Sequence, residues 1–441
     1  MLKTFQTKYD QYFSNELPKT RFIITPHAGI SYSGFGAFCS YSCIDWDKIK
    51  RIILLSTNHY IDENLIPGER FSISNLKFEV PQIDLMKANK VTLEREHSWQ
   101  FQLELLEYFK EDLIIELFLI SSYDENIKNY VRGRLEDETI ALVANTDLSH
   151  INGDFEHKLP INKIIDSDYQ VISSIISMKP NKCCGRSACG SAAIKTFLNC
   201  IGKDLICKTM CYYNSSQVEP NLNFWKNFTS KKLFGKLKEG VSVGYGAFAF
   251  YPIAILNNLK TIFSPYECYN LTEYCHNEIK LKVFNPIPIF FPGVELKKGI
   301  FVTINKNNEL RGCIGTLELD KPIYETLGKY TLLSAYQDSR FGPIKEDEYP
   351  FLTIEISLLD NKREVSSQEY FDNFKAGEDG IEINLVDGRS AFFLPSVSEE
   401  IPNKIKLLEM LCEKLGSKDK NCWKKEGTKF YINNGVKLPG L

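Results

Sequence analysis

The chain has 441 residues, 43% of them apolar and 25% charged, with a formal net charge of −3. The length is too great for one ordinary domain and predicts roughly two to three. The balanced charge excludes a protein whose overall field attracts nucleic acid or an anionic membrane, so neither is expected as a partner.

The N-terminus and the longest apolar run predict a cytoplasmic protein. Residues 1–6 contain no apolar core of signal-peptide length. The run at 245–256 is interrupted by Pro252 and is too short to span a bilayer. The thirteen cysteines form no spaced disulfide framework and no Cys-x-x-Cys pair. In a reducing compartment most of them are expected to be buried thiols.

Apolar runs in the first half predict buried strands that end in polar residues. Residues 22–24 precede a glycine-containing loop that carries His27, and residues 50–55 run into the segment that carries His59. Ligands bind at the carboxyl edge of strands in open α/β sheets. The pattern therefore predicts an α/β domain with a site at that edge.

The next elements continue the same pattern. A helix is predicted to begin at residues 95–98, which places His97 at its N-terminus, and residues 113–120 predict a strand. Residues 140–144 predict another strand, which ends in a segment that carries Asp147 and His150. Strands are also predicted at residues 207–213 and 241–251.

Four of the six histidines stand at strand ends or at a helix start: His27, His59, His97 and His150. The pattern predicts that one rim of the sheet collects imidazoles, as a metal site or an acid/base site requires. The alternative is that each histidine caps its own local turn.

Several short motifs occur in the order and spacing of the Memo family, across about residues 20–251. They are Pro-His-Ala-Gly at 26–29, Tyr-Ser-Gly at 32–34, Asn-His at 58–59, Glu-His-Ser at 96–98, Asp-Leu-Ser-His at 147–150, Cys-Gly-Arg at 184–186, Tyr-Asn-Ser-Ser at 213–216 and Ser-Val-Gly-Tyr at 242–245. The resemblance implies the mostly parallel α/β sandwich of class III extradiol dioxygenases. It also implies that His59 and His97 are metal ligands.

Two positions depart from the family pattern. Animal members carry a cysteine that completes the metal site where this chain has Val218, and a histidine where it has Ser187. The third protein ligand is therefore open among His27, Asp147 and His150, which are also the candidate catalytic residues. Two imidazoles and a carboxylate would suit non-haem Fe(II), so a divalent metal, most of all Fe(II), is the expected cofactor.

The second half predicts an α+β domain after a linker at residues 252–266. A helix is predicted at 268–283, strands at 299–304 and 353–358, and a second helix at 404–415. Residues 380–385 and 390–394 predict a hairpin through Asp-Gly at 387–388. Trp423 is expected to fill the core.

Three segments of this half resemble the AMMECR family, across about residues 267–433. They are Leu-Arg-Gly-Cys-Ile-Gly at 310–315, Asp-Ser-Arg-Phe at 338–341 and Leu-Pro-Ser-Val at 394–397. These segments are predicted to meet at one face and to form a shallow binding groove with a charged pair. The groove residues are Arg311, Gly312, Cys313, Gly315, Asp338 and Arg340.

The thiol in this motif has two interpretations. A cationic neighbour such as Arg311 favours the thiolate of Cys313 and a reactive group. The alternative, which we favour, is a buried structural thiol, with Arg311 paired to a carboxylate such as Asp338.

The two resemblances together define the expected organisation and function. A Memo-like domain at 1–251 and an AMMECR-like domain at 267–441 resemble two parts of the AmmeMemoRadiSam system, whose third part is a radical-SAM protein. The resemblance implies a metal-dependent redox or modification enzyme that acts with that partner on an unknown substrate. The other function class is a non-catalytic binding or scaffold protein that retains the dioxygenase-like fold.

Overall fold

The computed structural model describes residues 1–12, 17–151, 164–182, 188–215, 242–283 and 291–438. Ser187 and Val218, at which the chain departs from the Memo pattern, lie outside the described residues. The chain divides into two compact units, which are mainly Met1–Ile255 with Phe263–Glu267, and Cys268–Ile289 with Gly293–Leu441. Within the described ranges, no helix combines the length and the apolar character that crossing a bilayer requires.

The first unit contains eleven strands and seven helices among its described residues. The strands are β1 (Phe22–Thr25), β2 (Arg51–Thr57), β3 (Leu65–Pro67), β4 (Phe71–Ile73), β5 (Leu76–Glu79), β6 (Met86–Ala88), β7 (Ile114–Ile120), β8 (Ile140–Asn145), β9 (His150–Ile151), β10 (Leu205–Asn214) and β11 (Ser242–Pro252). The helices are α1 (Leu2–Tyr12), α2 (Ile30–Tyr41), α3 (Lys90–Arg95), α4 (Leu103–Phe109), α5 (Glu125–Arg134), α6 (Ile164–Ile176) and α7 (Ser191–Cys200).

The strands form one sheet in the order β10-β11-β1-β8-β2-β7-β3-β6, with β4, β5 and β9 attached beside this path. The four central strands β1, β8, β2 and β7 run parallel. The β10–β11, β11–β1 and β7–β3 pairs are antiparallel, so the sheet is mixed rather than mostly parallel. The mostly parallel sheet that the Memo resemblance implied therefore holds for the four central strands but not for the sheet as a whole.

The parallel centre of the sheet positions the candidate site. Every residue of β8 is buried, and β2 is buried after its first residue, so the centre of the sheet is a closed core. Because β1, β2 and β8 are parallel, their carboxyl ends meet at one edge. The segments that carry His27, His59 and Asp147 follow these three ends.

The second unit is built on a six-stranded antiparallel sheet in the order β13-β12-β14-β17-β15-β16. Its strands are β12 (Gly299–Lys306), β13 (Glu309–Thr316), β14 (Leu352–Val365), β15 (Asp379–Asn384), β16 (Ser390–Phe393) and β17 (Lys429–Lys437). The helices are α8 (Pro265–Leu281), whose first three residues belong to the first unit, α9 (Ile323–Tyr336), α10 (Ser367–Asn373), α11 (Pro395–Glu400) and α12 (Lys404–Lys414).

The core of the second unit agrees with the sequence pattern. Trp423 is 7% exposed and packs with α12 and β17 residues, as predicted. The predicted hairpin forms between β15 and β16, and Gly388 in its turn has φ +86°, a conformation that favours glycine. Cys412 and Cys422 form a disulfide in this core, whereas most of the described free cysteines are buried thiols.

Candidate functional site

Three of the predicted histidines come together at the carboxyl edge of the first sheet. The ring centroids of His27 and His59 are 5.1 Å apart, those of His59 and His97 are 4.7 Å apart, and those of His27 and His97 are 6.1 Å apart. One ring nitrogen from each residue lies within 4.8 Å of the other two. Three imidazole nitrogens at this spacing could hold one metal ion.

His97 reaches this cluster from a different local structure than predicted. Helix α3 ends at Arg95 and α4 begins only at Leu103, so His97 lies in the connection between them rather than at a helix N-terminus. Its carbonyl oxygen accepts hydrogen bonds from the backbone of Gln100 and Phe101. The short turn that follows therefore fixes the backbone of His97.

Glu96 orients His59. Its Oε1 lies 2.9 Å from His59 Nδ1, and its Oε2 accepts the backbone N–H of His59 at 2.7 Å. The backbone N–H of Ser98 also donates to Oε1. A hydrogen bond from Nδ1 to a carboxylate leaves Nε2 as the nitrogen available to a metal.

Asn145 has the same role for His27. The Asn145 Oδ1 lies 2.9 Å from His27 Nδ1, and its Nδ2 donates to Ser56 Oγ and to the Ser98 carbonyl oxygen. Since the amide nitrogen is already committed to these two acceptors, the oxygen faces Nδ1, which must then carry the proton. The Nε2 of His27 is thus left as the acceptor.

The charges of the metal-free cluster follow from these contacts. Burial opposes the charge of His59, but hydrogen bonds with Cys189 and Glu96 outweigh it and raise the pKa of His59 to about 9. Burial likewise opposes ionisation of Glu96, yet the hydrogen bonds from His59 and Ser98 lower the pKa of Glu96 to about 2. Burial, followed by the neighbouring imidazoles, lowers the pKa of His97.

Asp147 and His150 lie beside the three imidazoles. Asp147 Oδ1 accepts the backbone N–H of His27 at 2.8 Å, and Oδ2 lies 3.9 Å from His27 Nε2. His150 begins β9 and pairs with Val243 of β11. Burial lowers the pKa of His150, and the charges of Asp147 and His27 also act on it. The structure thus brings the predicted acid/base residues to the same edge as the histidine cluster.

Cys189 also lies in this site, although the sequence pattern does not predict it as a site residue. Its sulfur is 3.2 Å from His27 Nε2, and the backbone N–H of Asp147 donates to it at 3.3 Å. The available signal was its place in a run of small residues just before α7. That pattern did not distinguish it from the many buried thiols of this chain.

The donor set is compatible with a divalent transition metal. Three imidazoles suit iron, zinc, copper and nickel, and the Nδ1 atoms of two of them are occupied by Glu96 and Asn145. The residues at this edge of the sheet therefore fit a metal of this kind.

In the second unit, Asp338 joins the predicted segments. Its Oδ2 accepts the backbone N–H of Cys313 at 2.8 Å and the Nη2 of Arg340 at 2.7 Å. The same Arg340 nitrogen donates to the Cys313 carbonyl oxygen. The segment at 310–315 therefore meets Asp338 and Arg340 at one face.

Two details of the predicted groove were wrong. Arg311 pairs with a carboxylate, as predicted, but the partner is Glu348 rather than Asp338, through Nε–Oε2 and Nη2–Oε1 contacts of 3.0 Å each. The space at Gly312 is also filled, because a Cβ there would collide with the Ser334 carbonyl oxygen of α9. At Gly315 a Cβ would collide with Ile300 and Phe301. Both glycines permit close packing on β13 and do not leave an open groove.

Replacing Glu348 with glutamine is expected to remove acid-sensitive stability from the second unit. Hydrogen bonds from Arg311 and Lys345 lower the pKa of Glu348 to about 2, below the value of about 4.3 of an unfolded chain. The carboxylate therefore stabilises the fold above pH ~4.3, and this contribution is lost as the pH falls towards 2.

Urea titrations at pH 7 and at pH 3 measure this effect. The free energy of unfolding of the wild type is expected to exceed that of Glu348→Gln by on the order of 2 kcal/mol at pH 7, and by clearly less at pH 3. Glu346→Gln, at a side chain that is 81% exposed, is the matched control and should change little. A difference in stability between the wild type and Glu348→Gln that does not depend on pH would contradict the role given to the Glu348 carboxylate.

Cys313 is expected to react slowly with iodoacetamide in the native protein. Burial raises the pKa of its thiol, and the opposing Thr303 hydrogen bond and Arg340 charge do not reverse the shift. Since the thiolate is the nucleophile, labelling near neutral pH should be slower than that of a free model thiol, and fast only after unfolding. Peptide mass spectrometry of native and denatured samples, with Cys313→Ser to identify the adduct, measures both rates. Rapid labelling of Cys313 alone in the native protein would contradict this expectation and show that its thiol is reactive.

Comparison with known proteins finds two families in the order that the motifs indicate. The Memo-like protein family matches residues 72–223, and the AMMECR1 family matches residues 267–437. The chain is 38% identical to protein Ta0236 of Thermoplasma acidophilum over 165 residues, which is 36% of this chain and 76% of the relative. It is 33% identical to a protein of Aquifex aeolicus over 142 residues, 31% of this chain and 72% of the relative.

Solved structures are also similar to part of this chain, and one of them is the uncharacterized protein PH0010 of Pyrococcus horikoshii. It is 29% identical, the match covers 38% of this chain and 88% of that chain, and the TM-score is 0.36. A TM-score of this size supports no conclusion about the arrangement of the whole chain.

Proposed function

We propose that this chain, which belongs to the Memo-like family through its N-terminal domain and to the AMMECR1 family through its C-terminal domain, is a metal-dependent redox or modification enzyme. The observation that carries the proposal is the convergence of His27, His59 and His97, with ring nitrogens within 4.8 Å of one another. His27, until now a candidate for either role, is assigned to the metal.

Fe(II) is the metal we propose for this site. Imidazole ligands suit iron, and the dioxygenase-like fold implied by the Memo resemblance is used by iron enzymes. When bound, the metal would supply a Lewis acid and a redox centre. Glu96 and Asn145 would hold two of the imidazoles that bind the metal. Asp147 and His150 would transfer protons to or from the substrate.

The partner in this proposal is a radical-SAM protein of the AmmeMemoRadiSam system. The present sequence lacks the Cys-x-x-x-Cys-x-x-Cys cluster that such a protein carries. Fusion of two domains in one chain raises their effective concentration at a shared substrate or partner. The face formed by Cys313, Asp338 and Arg340, where the Arg340 side chain is 54% exposed, is the proposed binding surface for that substrate or partner.

Metal analysis of protein purified without oxygen tests the proposal. We expect the purified protein to contain about one equivalent of a divalent transition metal per chain. If the metal is lost during purification, we expect the metal-free protein to bind one equivalent again when it is incubated with Fe(II). If the protein takes up no divalent metal at micromolar concentration, the proposed metal-dependent activity is excluded.

The second candidate is a binding or scaffold protein. It is favoured by the two positions, Ser187 and Val218, at which this chain lacks the histidine and cysteine of animal Memo proteins. Absence of metal together with stable capture of the radical-SAM protein in coexpression would establish it.

A further inference from the structure

The turn before α7 holds Cys189 rigidly at the histidine cluster. The backbone N–H of Cys189 donates to the Asp147 carbonyl oxygen at 3.2 Å, and that of Gly190 donates to Thr146 Oγ1 at 2.9 Å. A Cβ at Gly190 would lie 2.6 Å from the Asn145 carbonyl oxygen, which is closer than real Cβ contacts. Only glycine therefore permits this close approach to the end of β8, and the approach brings the sulfur to the site.

The sulfur lies close to the distance from His27 that two ligands of one metal would have. Sγ lies 3.2 Å from His27 Nε2. Bond lengths of about 2.3 Å to sulfur and about 2.05 Å to nitrogen, at a tetrahedral angle, give a separation of about 3.6 Å, so the two atoms need to move apart by only about 0.4 Å.

Accessibility distinguishes Cys189 from other thiols of the first unit. Cys39, Cys43, Cys200 and Cys207 are buried, whereas Cys189 is partly exposed. A metal or a reagent can therefore reach its sulfur. A purely structural role would be a hydrogen bond that holds His27, and the experiment must separate that role from ligation.

We propose that Cys189 Sγ is the fourth protein ligand of the metal bound by His27, His59 and His97. This inference rests on the proposed function, because it requires that the cluster binds a metal. Binding releases the thiol proton to solvent and forms a metal–sulfur bond. A site with three nitrogens and one sulfur selects iron, zinc or cobalt over magnesium, calcium and manganese, which prefer oxygen ligands.

Cobalt(II) substitution tests the sulfur bond directly. Metal-free full-length protein is titrated with Co(II) without oxygen, and its absorption spectrum is recorded. The wild type is expected to develop an intense thiolate-to-cobalt charge-transfer band in the near ultraviolet. The band should stop increasing once one equivalent of Co(II) per chain has been added. In Cys189→Ser the band should be absent and the dissociation constant for Co(II) should rise by at least about 10-fold, since changes even to residues that only support metal ligands have an effect of this size.

The matched control is Cys200→Ser, at a buried thiol in the last turn of α7, the helix that follows Cys189. It should keep both the band and the affinity. A second readout uses the wild type alone. Bound Zn(II) should slow alkylation of Cys189 at least about 10-fold, because a sulfur that binds the metal is not free to react. Peptide mass spectrometry measures the rate.

The outcomes separate the two proposals. Co(II) bound by the wild type without a thiolate band, and without protection of Cys189, would overturn the sulfur ligand and leave the three-histidine site standing. Failure of the wild type to bind Co(II), Zn(II) or Fe(II) would overturn both. Circular dichroism checks that each variant is folded, and if Cys189→Ser does not fold, the alkylation experiment decides.

Discussion

The double substitution His59→Ala with His97→Ala is expected to abolish Fe(II) binding while leaving the fold intact. It removes two of the three imidazoles whose nitrogens lie within 4.8 Å of one another. Changes to residues that merely support metal ligands cost about 10- to 100-fold in affinity, so losing two ligands should cost at least about 100-fold. Anaerobic titration with Fe(II), followed by metal analysis after gel filtration, measures the loss.

The fold should survive because the buried Glu96 retains partners. The backbone N–H groups of His59 and Ser98 still donate to its two carboxylate oxygens in the double variant. His276→Ala, in α8 and outside the cluster, is the control for a general loss of histidine. If the double variant binds Fe(II) as tightly as the wild type, the metal site lies elsewhere in the chain.

Replacing Glu267 with alanine is expected to destabilise the first unit by about 3–5 kcal/mol, because it leaves a buried cation without its carboxylate. The side chains of Lys208 and Glu267 are fully buried, and Nζ lies 3.6 Å from Oε2. The carboxylate also accepts the backbone N–H groups of Thr209 and Ser264 at 3.0 and 2.9 Å. Burial raises the pKa of Glu267, and these partners oppose the shift.

Denaturant titration monitored by circular dichroism measures this loss. The double variant Lys208→Met with Glu267→Gln is the informative comparison, because it removes both charges and keeps one amide oxygen, which can accept one of the two backbone N–H groups. It should recover part of the stability, since buried pairs are often replaceable by uncharged groups of similar size. A loss below about 1 kcal/mol in Glu267→Ala would show that the buried lysine does not depend on this carboxylate.

The positions of the long strands of the first unit could be predicted from sequence with small errors, whereas the nine-residue strand β17 of the second unit was missed. The predicted strand at 113–120 corresponds to β7 (Ile114–Ile120), and that at 140–144 to β8 (Ile140–Asn145). The short strands β3 and β6 were missed, since three residues do not produce a recognisable period. The helix start predicted at 95–98 was wrong, because α3 ends there instead.

The sequence by itself determined which segments form buried strands and which polar residues follow them. That information is local: an apolar run followed by His27 or His59 can be read without knowing what lies beside it. It also determined the two families, because their motifs are short and contiguous. The placement of these histidines just after buried strands therefore follows from the order of the residues alone.

Only the tertiary structure decided which of these residues meet. Cys189 and His27 are 162 positions apart, and Asn145 and His27 are 118 apart. Such contacts depend on strand order and direction, which local periodicity does not specify. The same reason explains why the motif predicted that Arg311 pairs with a carboxylate but did not identify Glu348 as the partner. The partner is chosen by how α9 and the loop after it fold over β13, and the residue types of the motif do not contain that geometry.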